Sequence, residues 1–168
     1  MKEKKYPTSQ INTNSYRFHE LGQEIFIAES YSFYSIGPKG KIELRIIFSK
    51  DQSQTKIEMF NLAFGVWNPA SGEIDDTVET RNNDMDQILA TVGEKALDFI
   101  IRNPNAYLYA QGSNPIRTRK YQMGISRNLA DIPTNLGIYG IVADDSGSME
   151  MENFRSGISY HAFLFYAK

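Results

Sequence analysis

The chain has 168 residues, no cysteine, 41% hydrophobic and 23% charged residues, and a formal net charge of -2. That length and balance suit one globular domain with its own core. They exclude a disulfide framework, thiolate chemistry and Cys-ligated zinc, and they give no global field towards nucleic acid or anionic lipid, so any anion site has to be a local patch.

Residues 1–14 are polar and basic and read as a flexible N-terminal segment ahead of a single domain over 15–168. No apolar stretch follows the N-terminal lysines, so no signal peptide is read, and no apolar run approaches the ~20 residues of a membrane span. Together with the lack of cysteine this fits a cytoplasmic protein. From Tyr16 to Ile36 β-formers dominate, broken once at Leu21-Gly22. Gly37-Pro38-Lys39-Gly40 is a turn, Lys41 to Phe48 an alternating strand, and Ser49 to Gln54 a polar loop. Lys56 to Trp67 is a third strand, which makes an antiparallel meander. After the turn Asn68 to Gly72, residues 73–86 are acidic and read as exposed. A helix follows from Asn83 or Asp84, with Asn83 as a capping residue. Met85, Ile88, Leu89, Val92, Ala96, Phe99 and Ile100 give it one apolar face, and Asn103-Pro104 ends it.

Ala106 to Ala110 is a short strand. Next comes the stretch from Gly112 to Met123, in which Asn114 is a good N-cap and Pro115 a good first helical residue. Thr118, Tyr121, Ile125 and Leu129 share one face of this second helix, and Asp131-Ile132-Pro133 stops it. Gly137 to Val142 and Tyr160 to Tyr166 are strands, with a loop at Asp144 to Ser148. The order β-β-β-α-β-α-β-β predicts an α+β domain with a mixed, mostly antiparallel sheet and two main helices.

Asn61-Leu62-Ala63-Phe64-Gly65, Asn82-Asn83-Asp84 with Ile88 to Val92, Gly112-Ser113 and Arg117 to Tyr121 together resemble a family of uncharacterised bacterial proteins, common in Bacteroidetes, over roughly residues 30–165. The resemblance implies no activity; it implies an apolar residue where this chain has Lys120. The element order is also similar to the GNAT acetyltransferase fold, as is the run from Tyr107 through Asn114 to Tyr121 and Gly124. That likeness implies acetyl-CoA as cofactor, Tyr121 as general acid, and a pyrophosphate-binding turn at Arg81-Asn82-Asn83-Asp84-Met85-Asp86. This chain has aspartate at both glycine positions of the turn, where carboxylates repel phosphate.

The strongest local chemistry is the cationic helix start. Backbone amides near Ser113 and Asn114, with Arg117, Arg119 and Lys120, form an anion-seeking surface for phosphate or carboxylate. The plainer alternative is that the arginines pair with the acidic segment and only hold the fold. Tyr16, Phe18, Tyr31, Phe33 and Tyr34 can stack bases if exposed, or be core. Asp75, Asp76, Asp84 and Asp86 match no known calcium loop, and His19 and His161 have no nucleophile frame around them. The sequence therefore predicts a binding or interaction module for a small anionic ligand or a protein partner. An acyl-CoA-dependent N-acetyltransferase is the alternative and a single-stranded nucleic-acid binder the third reading, disfavoured by charge.

Overall fold

The computed structural model describes residues 4–13, 16, 25–51 and 58–168. The Leu21-Gly22 break, Phe18 and His19 lie outside the described residues. Within them run β1 (Ser9–Gln10), β2 (Ile25–Gly37), β3 (Gly40–Asp51), β4 (Met59–Asn68), β5 (Glu73–Asp75), α1 (Met85–Arg102), β6 (Tyr107–Ala110), α2 (Pro115–Arg127), a 3-10 turn (Leu129–Asp131), β7 (Leu136–Ala143), β8 (Met149–Asn153) and β9 (Ala162–Ala167). One sheet holds all the strands, in the order β1-β2-β3-β4-β6-β9-β7-β8, with β5 paired to β4. The predicted α+β class, the mixed and mostly antiparallel sheet, and the order of the main elements all hold.

The β2–β3 hairpin turns at Gly40, whose φ of +91° suits glycine. Along β3, Leu44, Ile46 and Phe48 point at α1 and are buried, and the residues between them face the other way. The pairing of β4 with β6 is parallel, so the chain must cross over, and α1 is that crossover. Ile88, Val92, Ala96, Phe99 and Ile100 are the buried face of α1, as their spacing predicts. Phe99 stacks on Phe48 at 4.6 Å and meets Phe60 edge-on at 5.0 Å. Each such fully buried side chain stabilises the fold by about 1.5–3 kcal/mol relative to exposure. The last strand, β9, inserts between β6 and β7, so the sheet closes only when the C-terminal segment arrives.

Three short strands escape the sequence pattern. β1 has two residues, β5 sits inside the acidic segment, and β8 alternates Met and Glu at a largely exposed edge. The start of the chain is tied down more firmly than its polar composition suggests. Tyr6 is 8% exposed and stacks on Phe33 at 5.9 Å, and its backbone N–H donates to Thr91 Oγ1 at 2.9 Å. One aromatic ring and two ladder positions are enough to dock a polar segment.

Beyond Leu62 and Ala110 the paired strands β4 and β6 part company, because β6 ends while β4 runs on to Asn68. β5 takes the vacated edge, with Val66 opposite Asp75. Its backbone comes so close that a Cβ on Gly65 would lie 2.9 Å from the Asp75 carbonyl oxygen.

Candidate functional site

The start of α2 is built as the sequence predicts. Asn114 is extended, its Oδ1 accepts from the Arg117 N–H at 2.9 Å, and Pro115 opens the helix. The Gly112 N–H donates to Thr118 Oγ1 at 3.0 Å, and a Cβ on Gly112 would lie 2.4 Å from the Thr118 nitrogen, so only glycine fits against that first turn. The acidic segment folds onto this start. Ser113 Oγ donates to the Asp76 carbonyl at 3.2 Å, and Lys120 Nζ meets Glu79 Oε1 at 2.9 Å. The Lys120 ammonium beside Glu79 holds its carboxyl below the ordinary range. Further along, Arg127 pairs with Asp86. Arg117 is half-buried, with Asp75 and Glu79 within electrostatic reach, and Arg119 is exposed. Among the described residues neither arginine has an ion-pair partner. On the buried side Gln122, which periodicity alone does not single out, donates to the Ile158 carbonyl and accepts from the Tyr160 N–H.

The start of α1 is a polar knot. The N-cap is Asp84, not Asn83, and its carboxylate does not cap the helix amides. It accepts instead from Tyr6 Oη at 2.6 Å, Ser35 Oγ at 2.5 Å and Thr80 Oγ1 at 3.0 Å. Asn82, 5% exposed, donates to Ser35 Oγ and the Gly40 carbonyl and accepts from the Lys39 N–H. Arg81 and Asn83 adopt positive φ of 59° and 57° to place Asn82 and Asp84 in this knot. The N-terminal segment, the β2–β3 hairpin and α1 are thereby fastened at one point.

The remaining candidates are dispersed. Phe33 is core at 1% exposure, and Tyr31 lies edge-on to Phe48 with its hydroxyl on Glu29 and pushed up to about 12, first by burial. Tyr34 is 40% exposed under Lys41, and Tyr16 and Trp67 flank the Arg45 guanidinium. His161 meets Gln111 at 3.2 Å. Among the described residues no group of three or more His, Asp or Glu is placed to hold a metal ion.

A mainly apolar concavity lies elsewhere, between α1, α2 and the β4–β6–β9–β7 part of the sheet. It has a volume of about 510 Å³. Leu62 and Phe64 of β4, Ala110 of β6, Phe163 and Phe165 of β9 and Ile138 of β7 form its floor. Leu89, Ala90, Gly93 and Leu97 wall it on α1, and Tyr121, Gly124 and Ile125 on α2. A Cβ on Gly124 would lie 3.1 Å from Leu89 Cδ1, whereas one on Gly93 would meet nothing within 4 Å. Gly93 is exposed, so α1 leaves open space where it borders this concavity. Tyr121 stands against Phe64 at 5.2 Å, and burial pushes its hydroxyl up to about 12. Sequence reasoning placed Tyr121 and Ile125 on the packed face of α2 and did not see the void. The available signal was the small-residue stripe Ala90, Gly93 and Ala96 on one helix facing Gly124 on the other.

Residues 12–168 match the family described as Family of unknown function (DUF6934). The chain belongs to DUF6934. No curated protein and no solved structure matches it. The family resemblance read from the sequence thus holds, over a longer stretch than the quoted motifs span. Those motifs have structural roles in this DUF6934 chain. Leu62 and Phe64 floor the cavity, Asn82 and Asp84 tie the knot, and Gly112 and Thr118 seat α2. No helix among the described residues is long and apolar enough to cross a membrane.

Proposed function

We propose that this member of DUF6934 is a binding module, and that its ligand occupies the apolar cavity between the helices and the sheet. The observation that carries this reading is a concavity of about 510 Å³ walled almost wholly by apolar side chains. Protein interiors are close-packed, and voids larger than a water molecule are few. Covering its apolar walls with a ligand removes apolar surface from water, worth about 25 cal/mol per Å². A fold that carries it gains by filling it. N-phenyl-1-naphthylamine, a neutral dye that brightens in apolar surroundings, should fluoresce with the wild-type chain and lose that signal with Gly93→Leu. The substituted helix should be no less stable, since a glycine inside a helix is worse than most residues by about 0.5–1 kcal/mol. Absence of a signal, or a signal that survives the substitution, contradicts the reading.

A second reading keeps the anion-seeking start of α2, supported by Arg117 and Arg119 having no ion-pair partner among the described residues. It ranks below the cavity because Lys120 and Ser113 are already engaged by the acidic segment. Calorimetry with pyrophosphate separates the two roles of the arginines. If they hold an anion, Arg117→Ala with Arg119→Ala removes the binding and leaves thermal stability within about 0.5 kcal/mol. If they only steady the fold, there is no binding to lose and stability falls. The acyl-CoA reading has less support still. A carboxylate occupies the N-cap of α1, where that chemistry needs open amides, and β5 lies along the edge of β4 where the strands part.

A further inference from the structure

The cavity also carries information about what it takes, an inference that rests on the binding reading above. Four of its lining side chains are polar: Lys5, Tyr121, Asn128 and Asp131. Three of them are spoken for. Lys5 Nζ holds Glu94 at 3.0 Å, Asn128 Nδ2 donates to the Gly124 carbonyl at 2.8 Å, and Asp131 has a partner of its own. The fourth is different. Among the described residues the Tyr121 hydroxyl has no hydrogen-bond partner, although the residue stands inside the wall against Phe64.

Tyr121 has Arg117 one helical turn before it and Asp76 nearby, and their effects on its hydroxyl are opposite in sign. Lys120, on the neighbouring position, is neutralised by Glu79. Of the lining side chains only Lys5 and Asp131 are charged, and each already has a partner. Moving an ionised carboxylate or ammonium into such a space is expensive without a counter-charge, while a neutral apolar body is welcome. No buried side-chain polar atom among the described residues lacks a partner, so solvent reaches the Tyr121 hydroxyl, and this protonated phenol can donate to the oxygen of a ligand instead.

We propose that the ligand of this cavity is an uncharged, largely apolar molecule carrying a carbonyl or similar oxygen that accepts a hydrogen bond from the Tyr121 hydroxyl. At ~30 Å³ for each water-sized group, the cavity takes a ligand of on the order of 15 non-hydrogen atoms. Tyr121 then acts as a specificity-determining residue, and the apolar walls supply the affinity.

The test is displacement of N-phenyl-1-naphthylamine by three ten-carbon probes: 2-decanone, decanoate and decylammonium. 2-Decanone should displace the dye, and the two ions should do so about ten-fold less well or worse. Tyr121→Phe, which keeps the ring against Phe64, should weaken 2-decanone about five-fold after correction for that variant's own dye affinity. If the dye binds, is lost with Gly93→Leu, and yet either ion displaces it as well as the ketone, the inference on ligand class falls while the cavity reading stands. An unchanged ketone affinity in Tyr121→Phe has the same consequence. If the wild-type chain binds no dye, both fall together.

Discussion

Phe99→Ala is expected to destabilise the chain by about 3–5 kcal/mol, a large part of the 5–15 kcal/mol that holds a typical domain together. Phe99 is 1% exposed and joins three elements at once, stacked on Phe48 of β3 and edge-on to Phe60 of β4. Removing the ring leaves a void that rigid strands on one side and α1 on the other cannot collapse to fill. Urea unfolding should show the midpoint move with little change in slope, and melting should fall by about 10 °C. Phe99 does not line the ligand cavity, so folded Phe99→Ala should still take up the neutral dye. A loss below about 1 kcal/mol would mean that α1 does not seat on the sheet through this ring.

Asp84→Ala is the second large effect, for a different physical reason. No apolar contact is lost. Three hydroxyl donors lose their acceptor, and one of them, Ser35, is fully buried. Unmet buried donors cost about 1–3 kcal/mol each, so a total of about 3 kcal/mol is expected after allowing for non-additivity. Asp84→Asn keeps an acceptor oxygen and should cost about half as much. Because Tyr6 is one of the three donors, hydrogen exchange should report early opening of the N-terminal segment from the β2–β3 hairpin in both variants. Wild-type stability in Asp84→Ala would show that the knot is a consequence of the fold and not a fastening of it.

The frame was legible because its signals are local. Ile88, Val92, Ala96, Phe99 and Ile100 repeat at helical spacing, Leu44, Ile46 and Phe48 at strand spacing, and Asn114-Pro115 announces a helix start. β1, β5 and β8 were not legible, since short exposed strands bury too little to leave a pattern. At the start of α2 the sequence gives up the donors but not their surroundings. Glu79 lies 41 residues from Lys120, and nothing local says that the acidic segment folds back onto it. Asp84 shows the same limit, because its partners Ser35 and Tyr6 are 49 and 78 residues away. The cavity is the hardest case, because its walls come from α1, α2 and four strands that lie far apart in the chain.

The most direct measurement is a crystal structure of the wild-type protein grown with 2-decanone. The account predicts the alkyl chain lying between α1 and the β4–β6–β9–β7 strands, with its carbonyl oxygen within hydrogen-bond distance of Tyr121 Oη. A cavity filled only by ordered water, or closed by α2 settling against Gly93, would contradict it.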